Sequence, residues 1–450
     1  MITSPAFSGK RYAVLGLART GMSAVRSLLA SGAQVMAWDS REEPRHTLLQ
    51  MFREGVEIAD PATADLTGTD GVVVSPGVPL NRHPIAAAAS AAGVPLISDI
   101  ELFALARPSL PPHRIVGITG TNGKSTTTAL VHHLLRSAAV PVRMGGNIGV
   151  PILSTEPLPP GGVYVLELSS YQIDLTHSLD CEVAALLNIT PDHLDRYDDI
   201  AAYATSKARL FAMQGPSHQM IVASDDPETR GIALAEAARR DPGKVERADP
   251  VAIAPHQENW PSLQGPHNLQ NAATAVAIVT ALGLRREQIL PALATFHGLP
   301  HRMERVAEAG GVLYINDSKA TNPASTAPAL AAFPPRPDKR IHWIVGGLPK
   351  GETLDECAPW FGNVAAAYTI GEAGPHYSEL LAPVMPVRRS EMLCEAIRQA
   401  IEAARPGDVV LLSPACASFD QFRDYEARGD TFRDIVMALT TPTKAGAGAA

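Results

Sequence analysis

The segment VGITGTNGKSTTT, residues 116–128, places Gly123, Lys124 and Ser125 in succession ahead of a run of threonines. In a phosphate-binding loop between a strand and a helix, backbone N–H groups surround the phosphate oxygens. The lysine reaches the β- and γ-phosphates and the hydroxyl binds Mg²⁺. The usual spacing requires glycine at 118, where this chain has Ile118. Because an ordinary turn leaves the combination of Gly120, Gly123 and Lys124 unexplained, we predict a phosphate site here, and the residues alone leave its unusual spacing open.

Further groups suited to a metal site follow the next apolar strands. Glu167 interrupts the buried-looking run VYVLELSSYQ at its carboxyl end, where a carboxylate is a suitable Mg²⁺ ligand. Asp192, His193 and Asp195 follow a strand predicted at 183–187, and for His193 spacing alone favours a site role and a structural role about equally. Lys207, in YATSKARLF, lies on a predicted helix, and the pattern alone indicates a solvated lysine.

Nucleotide-binding side chains are predicted near the start of a later helix and beyond it. Asn268 and Asn271 share one face of that helix, as N-caps or as hydrogen-bonding partners of adenine. Asp317 follows a strand predicted at 312–315, where a carboxylate suits a ribose and the nearby Lys319 suits a phosphate.

These residues require parallel strands whose carboxyl ends meet at one edge of a sheet. The opening strand–helix–strand unit, predicted at 12–17, 20–30 and 33–38, resembles a dinucleotide-binding fingerprint, but Ala18 replaces its second glycine. A diphosphate held less closely than NAD is therefore more consistent with it. Ser75 and Gly77 follow another buried strand. We predict an α/β protein of three domains: a Rossmann-like N-terminal domain (1–104), a central P-loop ATPase-type domain with a mainly parallel sheet (105–299) and a Rossmann-like C-terminal domain (300–450).

Composition limits the class of partner. The 450 residues include 46% hydrophobic and 19% charged residues, and the net charge of −8 argues against a nucleic-acid backbone as the main partner. The four cysteines show no paired spacing and are expected to be reduced thiols. We find no signal peptide and no apolar run of membrane-spanning length, so we expect a cytoplasmic protein without a membrane span. The tail TTPTKAGAGAA is expected to be frayed.

Eight separated motifs together resemble the Mur ligases over nearly the whole length. In family order they are GITGTNGKST, LELSSYQ, NITPDHLDRY, the lysine of YATSKARLF, HNLQNAATA, LPHRME, NDSKATNP and SPACASFDQF. The resemblance implies a UDP-binding domain, a central ATPase domain and a C-terminal domain that brings the amino acid. It also explains the spacing of the phosphate loop, since G-[TS]-N-G-K-[ST] is the form found in the family.

The resemblance assigns roles to individual residues. Lys124, His193, Lys207 and Lys319 are the implied catalytic residues. Two Mg²⁺ sites are implied, with Ser125 and Glu167 as ligands of one and His193 and a CO₂-derived carbamate on Lys207 as ligands of the other. ATP is implied to contact Gly120, Thr121, Asn122, Gly123, Lys124, Ser125, Thr126, Glu167, Asn268, Asn271, Arg302 and Asp317.

Two substrates complete the implied set. The UDP-sugar contacts Arg19, Thr20, Asp39, Ser40, Arg41, Ser75, Gly77 and Asn147, with Gln172 near the muramoyl group. D-glutamate contacts Lys319, Thr321, Lys350, Ser418 and Tyr425. Two departures from the family pattern affect this pocket: Tyr425 stands where phenylalanine is familiar, and Leu348 where some members have aspartate.

The first domain and SPACASFDQF favour the D-glutamate-adding branch of the family. The implied reaction joins D-glutamate to UDP-N-acetylmuramoyl-L-alanine through an acyl phosphate formed with ATP, for peptidoglycan precursor synthesis, by an enzyme expected to be a monomer. A sister Mur ligase and a folylpolyglutamate synthetase-like enzyme are the nearest alternatives. A regulator or motor that only hydrolyses ATP is a third, and a dehydrogenase, which leaves the later motifs unused, is a fourth.

Overall fold

The computed structural model describes residues 1–52, 54–192, 196–349 and 351–440. His193, Asp195, Lys350 and the tail 441–450, all named above, lie outside the described residues. The described residues form three sheets with helices between the strands, which confirms the predicted α/β class. No helix in this part of the chain is both long and apolar enough to cross a membrane.

The first sheet has the strand order β3-β2-β1-β4-β5, and all of its pairings are parallel. Its elements are β1 (Arg11–Leu15), α1 (Arg19–Ala30), β2 (Gln34–Trp38), α2 (Glu42–Met51), β3 (Val56–Ile58), β4 (Gly71–Val74), α3 (Ile85–Ala92), β5 (Leu96–Ile97) and α4 (Asp99–Ala106). Gly21 lets α1 lie close to the β1–α1 loop, because a Cβ atom there would be 1.8 Å from the Gly16 carbonyl oxygen.

The second sheet has the order β11-β10-β9-β6-β8-β7 and is also parallel throughout. It runs through β6 (His113–Thr119), α5 (Lys124–Ser137), β7 (Val142–Gly146), β8 (Gly162–Glu167), α6 (Ser170–Asp174), β9 (Val183–Leu186), α7 (Ile200–Ala212), β10 (Gln219–Val222), α8 (Pro227–Arg239) and β11 (Val245–Arg247), followed by α9 (Pro266–Ala281) and α10 (Arg286–Ala294). Since β6 lies between β8 and β9, the loops after these three strands meet at one edge.

The third sheet has the order β12-β13-β17-β14-β15-β16, with only its edge strand β12 antiparallel among the described pairings. It comprises β12 (Glu304–Ala309), β13 (Val312–Asn316), α11 (Pro323–Ala331), β14 (Ile341–Gly346), β15 (Val364–Ile370), α12 (Gly374–Leu381), β16 (Val387–Glu391), α13 (Leu393–Ala403), β17 (Val409–Leu412) and α14 (Tyr425–Thr440). Short 3₁₀ turns lie at Pro5–Phe7, Arg107–Ser109, Ile152–Ser154, Ala254–Asn259 and Ala358–Asn363.

The chain divides into two compact units, and the first two sheets share one of them. One unit contains Met1–Ala254 and Gln270–Leu293, and the other contains Pro255–Leu269 and Ala294–Ala450. A continuous hydrophobic core joins the first two sheets, where for example the ring centroids of Phe103 and Tyr164 are 5.0 Å apart. The predicted boundaries near 104 and 299 stay predictions.

Two predictions about local structure need correction or refinement. Because α9 begins at Pro266, Asn268 and Asn271 lie inside the helix, and the N-cap interpretation of these residues is wrong. The strand predicted at 12–17 ends at Leu15, because the Leu17 N–H turns to donate to the Asp39 carboxylate at 2.8 Å.

Candidate active site

The loop between β6 and α5 has the shorter turn that the family form of the motif implies. Ile118 is buried in β6 and α5 begins at Lys124. Gly120 and Gly123 have φ of +146° and +86°, conformations that favour glycine. The Lys124 ammonium folds back over the loop and donates to the carbonyl oxygens of Gly120 (2.9 Å) and Thr121 (2.7 Å). A cationic group and a helix N-terminus therefore share one site, which suits an anionic ligand.

Asn188 fixes this loop from the neighbouring strand and was missed in the sequence. Its side chain accepts from the Asn122 N–H (2.9 Å) and donates to the Asn122 carbonyl (3.1 Å), while its own carbonyl accepts from the Thr121 N–H (2.9 Å). Asn188 lies just beyond β9, which pairs directly with β6. Asn188 could have been identified only from the sheet order, which places β9 beside β6.

Lys207 lies at the same loop, and the prediction of a solvated lysine is wrong. The side chain enters from α7, is 1% exposed and donates to the Gly120 carbonyl at 3.0 Å. The Lys207 Nζ atom is 4.3 Å from the ring centroid of Tyr203. Burial, together with the nearby charge of Lys124, holds the pKa of Lys207 well below its usual value. The neutral amine is thus favoured, and a neutral amine is the form that can add to CO₂.

Glu167 supplies a buried carboxylate at the adjoining strand end. It pairs in register with Ile118 and is 2% exposed, so its side chain does not face solvent. Its Oε1 accepts from the Asn147 side chain at 3.1 Å, whereas Oε2 is buried and accepts no hydrogen bond from the described residues. An unsatisfied buried carboxylate oxygen suits a cation, and an oxygen ligand suits Mg²⁺ in particular.

Several groups would have to act together to hold a metal, because the described residues contain no ready-made cluster of three or more His, Cys, Asp or Glu side chains. The Ser125 hydroxyl opens α5 and is buried. Asn271 lies against the same loop: a Cβ atom at Gly123 would be 2.4 Å from its Oδ1 atom, and the Thr127 hydroxyl donates to that oxygen at 3.4 Å. The structure thus gathers Lys124, Lys207 and Asn271 around the phosphate loop.

The residues predicted to bind a UDP-sugar lie around the loops that follow β1, β2 and β4. The Asp39 carboxylate accepts from the backbone of Leu17 and from the backbone and side chain of Arg41. Burial acts to raise the pKa of Asp39, but these hydrogen bonds outweigh it and leave the pKa lowered. The Ser75 hydroxyl donates to the Gly16 carbonyl at 2.8 Å, which joins two of the loops. Further members of the set are Arg19 and Thr20 at the start of α1, exposed Ser40, and Gly77 after β4.

Two residues predicted to contact the substrate, Asn147 and Gln172, form hydrogen bonds with other protein groups. Asn147, besides its side-chain bond to Glu167, donates its N–H to the Glu167 carbonyl at 2.8 Å. Gln172 completes a capping box with Ser169 at the start of α6, and its side chain donates to buried Asp99 at 3.5 Å. Both residues therefore depend on neighbours that the sequence did not associate with them.

The second compact unit holds its own group of predicted residues. Asp317 accepts from the Ser413 hydroxyl (2.8 Å) and from the Met303 N–H (3.1 Å), and burial raises its pKa to about 7. The charge of Arg302 acts to lower that pKa. In the same unit, Asn268 donates its side-chain amide to the Gln264 carbonyl at 3.1 Å.

Residues assigned to D-glutamate lie between β13 and α11 and around the start of α14. The Lys319 ammonium is 5.5 Å from the Tyr425 ring centroid, Ser418 is buried and Thr321 is half-buried. Leu348 pairs through its backbone with Ala417, next to Ser418, so its side-chain identity is not what forms this contact.

Arg428 was missed in the sequence and joins the loops of this group. It is 1% exposed and donates to the carbonyls of Ser318, Cys416 and Ala417 and to the Ser318 hydroxyl. Burial lowers its pKa to about 10. A buried arginine with this many backbone acceptors fixes the relative position of the loops that carry Lys319 and Ser418.

The α/β fold and the strand–GKS–helix site define a P-loop nucleotide-binding enzyme. Three family models match consecutive parts of the chain: the Mur ligase MurD-like N-terminal domain at 10–98, the Mur ligase middle domain at 118–245 and the Mur ligase glutamate ligase domain at 301–416. The chain belongs to the Mur ligase family, and it is an ATP-dependent, amide-forming ligase.

Close relatives cover almost the whole chain. The UDP-N-acetylmuramoylalanine–D-glutamate ligase of Novosphingobium aromaticivorans is 67% identical over 98% of this chain and 97% of its own length. The enzyme of the same name from Sphingopyxis alaskensis is 60% identical over 98% and 100%, respectively.

Solved structures share the fold at lower identity. The UDP-N-acetylmuramate–alanine ligase of Thermotoga maritima has a TM-score of 0.57 at 16% identity, covering 96% of this chain and 99% of that one. A D-alanyl-D-alanyl-adding ligase from Acinetobacter baumannii has a TM-score of 0.58 at 17% identity, covering 96% and 90%.

Helix α4 carries two buried carboxyl groups, Asp99 and Glu101, which differ in their hydrogen bonds. Glu101 accepts from the backbone N–H groups of His177 (2.6 Å) and Ser178 (2.9 Å) and from the Ser178 hydroxyl (2.7 Å). Asp99, two residues before Glu101, is 2% exposed, and its Oδ2 accepts no hydrogen bond from the described residues. Burial raises the pKa of Asp99 to about 6.

We therefore predict that Asp99→Asn changes how stability depends on pH. A carboxyl whose pKa rises on folding stabilises most below its unfolded pKa, near 4, and loses that contribution as pH rises through about 6. Between pH 4.5 and pH 8, the free energy of unfolding of the variant should therefore increase relative to that of wild type by about 2 kcal/mol. The measurement is the thermal unfolding midpoint across this range.

Asp65→Asn is the control for this prediction. Asp65 is exposed, and a hydrogen bond with Thr67 lowers its pKa, so its removal should give no gain at pH 8. Parallel pH profiles for Asp99→Asn and wild type would contradict the assigned burial effect.

Proposed function

We propose that this chain catalyses the ATP-dependent addition of D-glutamate to UDP-N-acetylmuramoyl-L-alanine in peptidoglycan precursor synthesis. The observation that carries the proposal is the meeting of two lysines, Lys124 and Lys207, on the Gly120 carbonyl beside the buried carboxylate of Glu167. One lysine is enough to bind the phosphates, and a second, buried lysine beside a buried carboxylate supports a further metal site at the phosphates, through a carbamate on that lysine. The relatives at 67% and 60% identity carry the name of this reaction.

The chemistry requires a carboxylate to become an electrophile. In the proposed reaction the free carboxylate of the UDP-sugar substrate attacks the γ-phosphate of ATP, and ADP leaves. The D-glutamate amine then attacks the acyl phosphate, which yields the amide and phosphate. Lys124 and the N-terminus of α5 oppose the negative charge of the phosphate oxygens, and the loop residues 120–126 surround them. The protein acts mainly by positioning anions that repel one another.

Two Mg²⁺ sites are part of the proposal. Ser125 and Glu167 would hold one ion, and His193 and a carbamate on Lys207 the other, where Mg²⁺ supplies charge neutralisation of the phosphate oxygens. The buried, low-pKa amine of Lys207 suits the modification: it adds to CO₂, releases a proton and becomes an anionic oxygen ligand.

The remaining assignments follow the family motifs. We assign the UDP-sugar to the loops around Asp39, Ser75 and Gly77, the nucleotide to Asn268, Asn271, Arg302 and Asp317, and D-glutamate to Lys319, Thr321, Lys350, Ser418 and Tyr425. We also propose a cytoplasmic monomer.

The direct test is phosphate release with ATP and Mg²⁺ while UDP-N-acetylmuramoyl-L-alanine and D-glutamate are added singly and together. We expect sustained release only with both substrates, and we expect amide product in equal amount. Release that ignores amino acids would instead indicate a hydrolysing regulator or motor. Preference for L-glutamate, a diamino acid or a folate substrate would indicate one of the other ligases and contradict the proposal.

For the carbamate, we predict that bicarbonate restores wild-type activity after CO₂ depletion and has no effect on Lys207→Ala, which should be nearly inactive. A ¹³C NMR carbamate signal from ¹³C-bicarbonate should be present in wild type and in a control, Lys10→Ala, whose side chain is exposed. The signal should be absent from Lys207→Ala. Wild-type turnover in Lys207→Ala, or an unchanged carbamate signal in that variant, would refute the assignment.

A further inference from the structure

Arg196 lies between the second sheet and a loop of the first sheet, and it has no assigned role in the proposed reaction. Its guanidinium donates from Nη1 to the Val78 carbonyl at 3.1 Å and from Nη2 to the Gly77 carbonyl at 3.4 Å. Both carbonyls belong to the turn after β4, in which the Val78 N–H donates to the Ser75 carbonyl at 3.0 Å. An arginine from the β9–α7 loop therefore forms two hydrogen bonds to a turn that we assign to the UDP-sugar.

The flat face of the guanidinium lies over the ring of Tyr171, and Tyr171 in turn stacks against Tyr197. The central carbon of the guanidinium is 4.6 Å from the ring centroid of Tyr171, on α6. The Tyr171 ring lies nearly parallel to that of Tyr197, with an interplanar angle of 10° and centroids 6.1 Å apart. A cation over an aromatic face is attracted by the ring quadrupole, and arginine stacks there better than lysine.

The aromatic pair is in turn anchored to the helix that carries Lys207. The Tyr197 hydroxyl donates to Asp174 at 2.8 Å and lies 3.2 Å from the Ser206 hydroxyl. Ser206 donates to the Ser170 carbonyl at 3.2 Å, and it directly precedes Lys207. A continuous series of contacts thus runs from the Gly77–Val78 turn to the phosphate loop.

This series connects the two ends of one substrate. The uridine diphosphate and the reacting carboxylate belong to the same molecule, separated by the amino sugar and its lactyl-alanyl arm. The distance between the protein loops at these ends must therefore match the length of the substrate, because a small misplacement of the reacting atom is costly in rate.

We propose that Arg196 is a positioning residue that clamps the Gly77–Val78 turn onto Tyr171 and so sets the span over which the UDP-amino sugar substrate is held. This inference rests on the proposed function. Arg196 acts through the turn and not through a contact of its own with the diphosphate, so it matters only for a ligand that reaches both ends.

The test compares a ligand that occupies one end with the substrate that spans both. In Arg196→Met, we expect kcat/KM for UDP-N-acetylmuramoyl-L-alanine to fall at least tenfold, while the KM values for ATP and D-glutamate change less than about twofold. The Kd of UDP alone, measured by calorimetry, should stay within about twofold of wild type. Arg196→Lys should recover little, because one ammonium cannot replace both the two-pronged donation and the stacking.

Two controls separate this role from a general loss of structure. Arg230→Met removes an exposed arginine whose side-chain hydrogen bonds go to Asp225, and it should behave as wild type. Tyr171→Leu keeps the guanidinium donors but removes the stacking face, so it should lower the same kcat/KM by a smaller factor.

The outcomes distinguish this inference from the function on which it rests. Wild type that does not ligate D-glutamate contradicts the proposed function. An active wild type with an unchanged Arg196→Met variant contradicts the positioning role alone. A parallel loss of UDP affinity would also contradict the positioning role, because it indicates that Arg196 binds the diphosphate directly. An equal rise of all three KM values would contradict it as well, because it indicates general damage to the structure.

Discussion

The backbone carbonyl of Gly120 is the point on which the site depends, since it accepts hydrogen bonds from both Lys124 and Lys207. The side-chain nitrogens of both lysines reach this oxygen where the chain turns with a φ of +146°, a conformation that favours glycine. A Cβ atom at Gly120 would also lie 2.8 Å from that of Leu187, so the neighbouring strand leaves no room for a side chain. The conformation of the loop, the position of β9 and the placement of the two lysines therefore depend on one another.

That constraint has an electrostatic consequence. With Lys124 charged and nearby, burial of Lys207 favours its neutral form, and the two lysines acquire different chemistry from one location. The lowered pKa of Lys207 suits reaction of its amine with CO₂, whereas Lys124 is assigned to the phosphates. Glu167, in register with Ile118 on the adjacent strand, adds a buried oxygen without a hydrogen bond from the described residues. Opposite charges are thus supplied to one edge of a sheet inside an acidic chain.

Whether a feature of the site could be predicted depends on how far apart in the sequence the interacting residues lie. Lys124, Glu167 and the buried Ile118 follow from local patterns, because each is defined by its own strand or loop. For Lys207 the pattern alone indicated a solvated side chain, because helical periodicity does not reveal that α7 brings this residue to the phosphate loop; only the family resemblance assigned it to the site. Asn188, Arg196 and Arg428 were missed because their partners are 66, 119 and up to 110 residues away. Only the order of strands in the sheets brings such residues together, and a single sequence does not contain that order explicitly.

The central claim is that this phosphate site activates a carboxylate and does not simply hydrolyse ATP. The most direct measurement uses UDP-N-acetylmuramoyl-L-alanine labelled with ¹⁸O in its free carboxylate, with ³¹P NMR of the phosphate released during D-glutamate addition. If the carboxylate attacks the γ-phosphate, the amine later breaks the C–O bond, so the phosphate must carry an ¹⁸O atom from the substrate. Unlabelled phosphate formed alongside the amide product would contradict the account.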